Sequence, residues 1–355
     1  MVQKRARLLM GIATLLLVAG LIAWLLEVFP SGHPPLQAGG STFVAPLMER
    51  WIQHYPGGNG AALRYQPSGS GAGVDQMVDQ HFDIGCTDFP MTESQLKSAR
   101  AAQGEVLHIP LVLGAVVPIY NVGGIKQPVR FTGPVLADIF LGKISRWNDP
   151  ALIELNPDVK FPDEKIVVVH RSDVSGTSHI FADYLNKVSP VWREKVGSTG
   201  NWPVGLGREG NEGVADTVEN TPGSIGYVQL NYAMTHKIEH GLVKNDYGEF
   251  IDANQKSVTA AAANALDDAI PEDLRYSITN AGGKGSYPIV GTVWAVVYLN
   301  QPSDKLHAVH AFLRWATHEG QEQAAGLHYA PLPPGLVEKV DRKLAKLKAT
   351  TKNAS

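Results

Sequence analysis

The sequence predicts an α/β fold, because short apolar runs alternate with segments of helical period along most of its length. The apolar runs have the length and the flanking turn residues of buried strands. Between them, apolar residues recur at the spacing of one helix face, as Ile180, Phe181 and Tyr184 do. Glycine- and serine-rich turns follow several of these runs, which is where open α/β sheets bind their ligands.

The individual elements follow from these two periods. Strands are predicted at "LRYQ", "HFDIGC", "HIPLVLGAVVPIY", "KIVVVH", "SIGYV" and "YPIVGTVWAVVYL". Helices are predicted at 44–55, 73–80, 135–140, 178–187, 211–218 and 307–317. The alternation shows no internal repeat and ends before a basic tail, "KLAKLKATTKNAS".

Composition excludes some classes of function. The chain has 355 residues, of which 44% are hydrophobic and 18% charged, an ordinary globular composition. Its 31 basic and 34 acidic side chains leave a formal net charge of −3. Binding to a nucleic-acid backbone needs a basic excess, so no nucleic-acid partner is expected. The single cysteine, Cys86, excludes an intramolecular disulfide and is interpreted as a small buried residue.

The first 35 residues form a segment of their own. Basic residues precede an uncharged apolar run at 8–26. That run approaches the ~20 residues that span a bilayer and exceeds the roughly 7–15 residues of a signal-peptide core. The basic side stays cytoplasmic, which places everything after Glu27 outside. We favour an uncleaved anchor helix in the cytoplasmic membrane, followed by a Pro-rich tether, over an atypical cleaved signal.

Three strand-to-helix turns share one design. They are "AGGSTFVAP" around Thr42, "YQPSGSGAGV" around Ser70, and "HRSDVSGTSHIF" from Arg171 to Thr177. A helix start exposes up to four unpaired backbone N–H groups and carries roughly half a positive charge. Hydroxyls add donors and glycine allows close approach of the main chain, so the turns predict an anion site. For any one turn, the alternative is an ordinary N-cap.

Two carboxylates accompany these turns. Arg171 can direct two N–H groups at a tetrahedral oxyanion, and Asp173 can hold that guanidinium or bond to its own backbone. Asp88 follows the apolar run "FDIGC" at a strand end. An ionised carboxylate only accepts hydrogen bonds, so Asp88 beside an anion favours a ligand that carries a proton. Hydrogen phosphate has one and sulfate has none, and unpaired polar groups of this kind reject an analogue by ~10⁴–10⁵-fold.

Several of these stretches resemble one known family. They occur in the order "GGSTFVAPLMERW", "YQPSGSGAG", "DIGCTDFPM", "DIFLGKISRWNDPAL", "HRSDVSGTSHIFADYL", "WPVGLGREGNEGVA", "PGSIGYV" and "HYAPLPPGLVEKV". Together they closely resemble the phosphate-binding subunit of the bacterial phosphate ABC importer, from about Leu36 to near Val340. Such a protein binds inorganic phosphate outside the cytoplasmic membrane and delivers it to the permease and ATPase subunits of the importer.

The resemblance implies a two-lobed periplasmic-binding-protein fold of type II with hinge crossovers. One lobe is expected at 36–112 and 287–355, and the other at 113–286. Closure around the ligand is a hinge motion of such proteins. No cofactor and no metal are expected. The implied phosphate-binding residues are Ser41, Thr42, Phe43 through its backbone N–H, Ser70, Asp88, Arg171, Ser175, Gly176 and Thr177, with Asp173 supporting Arg171.

Other interpretations compete with this one. "GLGREG" at 205–210 matches a dinucleotide fingerprint, but lacks a good preceding strand and is interpreted as a turn entering a helix. "HKIEH" at 236–240 matches a zinc-peptidase pattern and is interpreted as a helix end. An enzyme could use Ser70 or Ser175 as its nucleophile, but neither lies in a G-x-S-x-G motif with an adjacent base. A membrane-tethered sensor or adhesin with the same lobes remains an alternative.

Overall fold

The computed structural model describes residues 35–57, 63–125, 127–198, 201–265 and 270–350. None of the helices in these ranges is long and apolar enough to cross a membrane. The predicted anchor at 8–26 and nearly all of the predicted tether lie outside the described residues.

A mixed sheet organises the described chain. Its strands are β1 (Leu36–Gly40), β2 (Leu63–Gln66), β3 (Ile84–Thr87), β4 (Val106–Asn121), β6 (Val167–Arg171), β7 (Leu206–Arg208), β8 (Ser224–Gln229) and β11 (Val290–Tyr298). They lie in the order β2-β1-β3-β11-β4-β8-β6-β7. Smaller sheets contain β5 (Arg130–Phe131), β9 (Leu242–Lys244) and β10 (Phe250–Ile251), and β12 (Asn300–Gln301) with β13 (Lys348–Ala349).

Helices cover this sheet. They are α1 (Ala45–His54), α2 (Ser70–Val78), α3 (Glu93–Ala102), α4 (Gly133–Phe140), α5 (Pro150–Leu155), α6 (Gly176–Val188), α7 (Pro190–Lys195), α8 (Gly210–Glu219), α9 (Leu230–His236), α10 (Gln255–Ala265), α11 (Leu306–Thr317) and α12 (Pro334–Leu344). Two 3₁₀ turns, Glu319–Gln323 and Ala325–Leu327, follow α11. The alternation of strands and helices confirms the predicted α/β class.

The strand directions place two sets of strand ends opposite each other. β1, β2 and β3 are mutually parallel, as are β6, β7 and β8. The first set joins β4 through the antiparallel β11, whereas β8 pairs directly with β4 in the antiparallel sense. The two sets therefore run in opposite directions, and their carboxyl ends point toward the middle of β4. The central strand β4 spans both sets, because its first part pairs with β11 and its last part with β8.

The observed helices begin where local capping and glycines allow. Helix α4 begins at Gly133, because the Thr132 hydroxyl accepts a hydrogen bond from the Val135 N–H at 3.4 Å. Helix α2 begins at Ser70 rather than at the predicted residue 73, so its first turn contains the glycines that were expected to precede it. The "GLGREG" segment enters helix α8 at Gly210, as predicted, but its middle residues form the short edge strand β7 rather than a turn.

One large apolar core joins both sets of strands. Among the described residues its largest fully buried side chains include several tryptophans, whose indole N–H groups find backbone partners. Trp51 donates to the Gly320 carbonyl at 2.7 Å, and Trp147 donates to the Gly223 carbonyl at 2.8 Å. Cys86 is fully buried in this core as a free thiol, as predicted. The sheet therefore has a rigid base on which the turns at its strand ends are held.

Candidate functional site

The turns after β1, β2 and β3 lie side by side at one edge of the sheet. Close packing of glycines makes this possible. Gly40 has a φ of +117°, and a Cβ there would lie 2.3 Å from the Cys86 carbonyl oxygen and 2.7 Å from the Gly73 Cα. Only glycine fits that position without strain. The Ser41 N–H then donates to the Cys86 carbonyl at 2.9 Å, which anchors the first turn to the end of β3.

Asp88 lies between the first two turns. It follows β3 directly and is 3% exposed. One carboxylate oxygen accepts a hydrogen bond from the Ser41 hydroxyl, and the other accepts one from the Ser70 hydroxyl at 3.3 Å. The Ser70 hydroxyl also accepts from the Asp88 backbone N–H at 3.2 Å. The carboxylate is thus fixed by hydroxyl groups from the ends of two neighbouring strands.

The turn after β6 provides the cation of the site. Arg171 is the last residue of β6, and its side chain is 1% exposed. Its Nε donates to an Asp173 oxygen at 2.7 Å, and its Nη2 donates to the other oxygen of the same carboxylate. Its remaining Nη1 donates to the Thr177 hydroxyl at 3.4 Å. Asp173 therefore orients the guanidinium and leaves one end of it directed toward the helix start that contains Thr177.

Backbone contacts close the two sides of the site against each other. The Gly71 N–H donates to the Val174 carbonyl at 3.0 Å. A Cβ on Gly176 would lie 2.2 Å from Oδ2 of Asp88, so the main chain at the start of α6 packs directly on that carboxylate. Two turns from opposite sets of strands are therefore in contact.

A side-chain bridge reinforces this contact. Asn211, which is fully buried near the start of α8, donates to the Thr42 hydroxyl at 2.9 Å and to the Thr177 hydroxyl at 3.1 Å. The Tyr232 hydroxyl donates to the Thr42 carbonyl at 2.7 Å. The starts of helices α1, α2, α6 and α8 thus converge on one buried, polar crevice. Such helix starts favour an anionic ligand.

The electrostatics of the crevice are unusual. Burial raises the pKa of Asp88 from 3.8 to about 7, and the Asp173 charge adds to the rise. The Ser41 hydrogen bond, the Arg171 charge and the Ser70 hydrogen bond lower the pKa, but do not offset burial. Arg171 compensates Asp88 only in part, because it is already paired with Asp173. Near neutral pH, Asp88 is therefore well matched to share a proton with a ligand.

The structure brings the predicted side chains together and shows two uses for some of them. The Ser175 hydroxyl caps α6 by accepting from the Ser178 N–H at 3.1 Å. The Ser41 hydroxyl accepts from the Val44 N–H at 3.3 Å while it donates to Asp88. The N-cap alternative therefore holds for Ser175, and for Ser41 a capping contact coexists with the crevice contact. The Phe43 ring is fully buried and packs beside Tyr329 at a centroid distance of 6.2 Å.

Sequence reasoning missed Asn211 and Tyr232. Asn211 follows "GLGREG", a stretch that matches a nucleotide-binding pattern and forms part of the family resemblance, but neither assigns a role to Asn211 itself. The signal that could have identified it is its place in the first turn of a helix that follows a glycine turn, as at the other three helix starts. Tyr232 lies in α9 and not in a glycine- or serine-rich turn before a helix, so the pattern that identified the other residues does not mark it.

The two histidines of the zinc-peptidase pattern, His236 and His240, contact different carboxylates. His236 ends α9 and contacts carboxylates of α8, Glu212 at 3.1 Å and Glu219 at 3.0 Å. His240 instead contacts Asp252 at 3.0 Å. The interpretation of "HKIEH" as a helix end is correct for His236. The ligand atoms of Glu212, Asp216 and His236 lie within 4.8 Å of one another, but the two carboxylates are exposed.

Comparison with known proteins gives the same picture. A family model described as "PBP superfamily domain" matches residues 29–319. Phosphate-binding protein PstS of Xylella fastidiosa is 42% identical over 311 residues, 86% of this chain and 84% of that protein. Phosphate-binding protein PstS of Pasteurella multocida is 37% identical over 309 residues, 86% of this chain and 88% of that protein.

A solved structure of a high affinity periplasmic phosphate-binding protein, PfluDING, bound with phosphate, matches 87% of this chain and 93% of its own. The TM-score is 0.71 at 18% sequence identity, a likeness that concerns the fold alone.

The fold and the buried polar crevice at opposed strand ends define a substrate-binding protein of the periplasmic-binding-protein class. The identities with curated relatives extend this assignment over most of the chain. The chain belongs to the PBP superfamily and, within it, to the family of phosphate-binding proteins PstS. The resemblance found in its motifs is confirmed.

Proposed function

We propose that this protein binds inorganic phosphate as hydrogen phosphate outside the cytoplasm and delivers it to the permease of a phosphate ABC importer. The observation that carries this proposal is Asp88, a buried carboxylate with two hydroxyl donors that faces a carboxylate-paired guanidinium across a crevice of helix starts. The names of the PstS relatives, which call each of them a phosphate-binding protein, support the choice of ligand.

The residues divide the recognition of the anion among themselves. Arg171 and the helix-start amides at Thr42, Phe43, Gly176 and Thr177 supply positive charge and donors for the phosphate oxygens. The hydroxyls of Thr42, Ser70, Ser175 and Thr177 add further donors. Asp88 accepts the hydrogen bond of the P–O–H group, which is the feature that separates hydrogen phosphate from sulfate.

The two sides of the crevice are proposed to be two lobes, 36–112 with 287–355 and 113–286. The change of pairing partner along β4, from β11 to β8, supports a crossover near residue 113. Ligand contacts from Asp88 on one side and from Arg171 on the other would favour the closed arrangement, because a ligand shifts the equilibrium toward the state it contacts better. Asn211 would tighten that arrangement by bonding both sides.

Export places this crevice outside the cytoplasmic membrane, and the basic N-terminus before the apolar run at 8–26 supports that topology. An uncleaved run would keep the protein at the membrane beside its permease and ATPase subunits. The crevice would bind and release phosphate rather than turn it over. Ser175 caps a helix, and the carboxylate that accepts the Ser70 hydrogen bond, Asp88, also accepts from Ser41 and is assigned here to the proton of the ligand.

Calorimetric titration of residues 36–355 with phosphate, and then with sulfate as competitor, tests the function. One phosphate per chain is expected, with sulfate failing to compete at pH 8. An absence of heat from phosphate would contradict the proposal. Hydrolysis of phosphate esters by the same sample would favour the enzyme alternative instead.

Asp88→Asn tests the proton-acceptor role. The amide of this variant can donate a hydrogen bond to sulfate, and it accepts the P–O–H hydrogen bond of hydrogen phosphate less well than the carboxylate does. The ratio of phosphate affinity to sulfate affinity should therefore fall at least tenfold. Asp75→Asn in α2 makes the same chemical change on an exposed side chain close in sequence to Ser70, and should leave the preference unchanged. If both variants keep the wild-type preference, hydrogen bonding from the ligand P–O–H group to Asp88 does not determine the selectivity.

A further inference from the structure

A second cleft lies at the start of β4 and the end of β11, away from the middle of β4 where the phosphate crevice lies. It has a volume of about 550 Å³. Its lining residues come from α3, the start of β4, the segments before and after β11, the end of α12 and the chain that follows it: Leu96, Arg100, Glu105, Val106, Leu107, His108, Asp273, Arg275, Leu299, Lys343, Lys346 and Lys348. The PstS assignment of the chain leaves this cleft without a role.

The cleft is separate from the Asp88 crevice. Thr87, just before Asp88, pairs with Trp294 of β11, which in turn pairs with Pro110 of β4. On β4 the cleft is lined from Val106 to His108, which lies two residues before Pro110. At ~3.3 Å per residue, this is about 7 Å along the strand direction. Neither Asp88 nor Arg171 lines the cleft, so it is a site with lining residues of its own.

Positive charge dominates the cleft, although the chain as a whole carries a net charge of −3. Both of its acids are already paired: Glu105 with Arg100 at 3.1 Å, and Asp273 with Arg275 at 2.8 Å. No carboxylate of the described residues lies within ion-pair distance of the three lysines, which are Lys343, Lys346 and Lys348. An excess of cationic side chains therefore faces one open cleft.

Ordinary helix capping does not account for these lysines. A lysine in the last turn of a helix is stabilised by the helix dipole, which explains Lys343 in α12. Lys346 and Lys348 lie beyond the helix end at Leu344. Lys348 is held in β13, where its N–H donates to the Leu299 carbonyl at 3.2 Å. The pairing of β13 with β12 thus holds Lys348 at this cleft.

The positive charge of the cleft contributes to lowered pKa values of two of its residues, His108 and Lys343. Burial lowers the pKa of His108 to about 4, and the charges of Arg275 and Lys343 lower it further, against an opposing effect of Asp273. Burial also lowers the pKa of Lys343, and the charges of Lys346 and Arg275 lower it further, against opposing effects of Asp273 and Glu272. His108 is 3% exposed and accepts the Met91 N–H at 3.0 Å through Nε2, so it is neutral with its proton on Nδ1.

The cleft also has apolar surface, since Leu96, Leu107 and Leu299 line it beside the cations. Its volume is in the range of small-molecule sites, roughly 300–1,000 Å³. We propose that this cleft binds an organic anion that carries two or more phosphate groups on an apolar body. Lysines are suited to phosphate groups as point charges, and several of them spread over one cleft match a ligand with several charges.

ATP is the probe for this site, with tripolyphosphate and adenosine as its two halves. The full chain is first saturated with inorganic phosphate, so that the Asp88 crevice does not contribute. Calorimetry at low salt should show ATP binding more tightly than tripolyphosphate, with adenosine weakest. The His108 ring signals in NMR should also titrate at higher pH when ATP is present, because the bound anion offsets the cations.

A matched pair of variants localises the binding. Lys343→Ala, Lys346→Ala and Lys348→Ala together should weaken ATP binding at least tenfold. The control combines Lys195→Ala, Lys256→Ala and Lys284→Ala, which removes the same charge from exposed lysines outside the cleft and should change it less than twofold. Inorganic phosphate affinity, measured separately, should be equal in both triple variants, so a failure here is distinct from a failure at Asp88.

Vesicles of cardiolipin, a lipid that carries two phosphate groups, separate the two sources of such a ligand. Vesicles that displace ATP from the wild type, and not from the lysine triple variant, would identify a lipid headgroup as the ligand form. An absence of ATP binding, or equal weakening in the control triple variant, would overturn the proposal. Vesicle binding without ATP binding would also overturn it, since a membrane surface would then replace the small-molecule site.

Discussion

The two proposed anion-binding regions of this protein differ in how they would obtain their affinity. The Asp88 crevice is buried and has a single arginine, already paired with Asp173, among amides and hydroxyls. The cleft around Lys343 is open and has cations whose charge the described carboxylates compensate only in part. The first can read the shape and the proton of a small ion, whereas the second attracts charge.

This difference follows from solvation. In a buried site each unmatched donor or acceptor costs free energy, so an incorrect ion is rejected strongly. In an exposed site water and salt screen the charges, so a range of polyanions is tolerated. The crevice therefore suits selection of one nutrient ion, and the cleft suits a ligand recognised mainly by its charge.

The strongest test of the comparison is Arg171→Ala. It removes the guanidinium and leaves Asp173 unpaired beside a site that must accept an anion. Truncating one member of a buried charge pair typically costs about 2–5 kcal/mol, so phosphate affinity should fall by roughly 10²–10³-fold. Calorimetric titration measures this loss, and circular dichroism checks the fold. A loss below tenfold would mean that the amides and hydroxyls suffice without the cation.

The next effect concerns stability and pH. The folded chain holds the Asp88 proton up to about pH 7, whereas the unfolded chain releases it near 3.8. The free energy of unfolding therefore falls as the pH rises through this window, because the unfolded state binds fewer protons. Asp88→Asn removes the buried charge and should stabilise the phosphate-free protein by roughly 4 kcal/mol at pH 8.

At pH 4 the same substitution should have little effect, since the wild-type carboxyl is then neutral when folded. Denaturant unfolding at both pH values in phosphate-free buffer gives the difference. Equal effects of Asp88→Asn at pH 4 and pH 8 would show that burial does not raise this pKa.

A smaller effect is expected from Gly176→Ala. The added Cβ would meet Asp88 Oδ2 at 2.2 Å, so the carboxylate or the start of α6 must shift. Phosphate affinity should fall by about tenfold, as expected for a displacement that loosens one of the ligand contacts. Gly213→Ala in α8 is the control, because its Cβ would have its nearest contact at 3.6 Å. Equal affinities of the two variants would show that the packing on Asp88 is not required.

The smallest expected effect is a difference between the two regions in how strongly their ligand affinity depends on salt concentration. Raising the ionic strength from about 0.01 M to 0.15 M shortens the screening length from ~30 Å to ~8 Å. ATP binding at the cleft should weaken severalfold, whereas phosphate affinity of the buried crevice should change by less than about twofold. Titrations at both salt concentrations provide the measurement. A stronger salt dependence at the crevice would reverse the assignment of roles.

The sequence predicted the crevice better than the cleft, for a physical reason. Ser41, Ser70 and Asp88 follow the carboxyl ends of three parallel strands, which meet at one edge, so a linear reading can place these three together. Arg171 ends a strand of the opposite set, and its place beside them came from the family resemblance. Their roles as phosphate ligands came from the family resemblance and stay a prediction. Asn211 was missed because it bonds across the crevice, and such a contact depends on how the two sides are set against each other.

The cleft has no comparable sequence pattern. Its cations come from α3, the segment before β11 and the end of the chain, and only the pairing of β12 with β13 brings Lys348 beside Leu299. In the sequence, Lys343 to Lys348 appear only as part of a basic tail. Long-range pairing of a two-residue strand leaves no periodic signal, so this part of the structure could not be predicted.

Cys86 has a consequence for experiments on this protein. It is the chain's single thiol, it is fully buried, and its carbonyl holds the Ser41 amide at the floor of the crevice. Burial raises its pKa to about 12, so an alkylating reagent meets almost no thiolate while the chain is folded. The rate at which native Cys86 is alkylated would therefore measure how often the sheet opens. A comparison of this rate with and without bound ion would show, without any engineered probe, how much the ion suppresses opening.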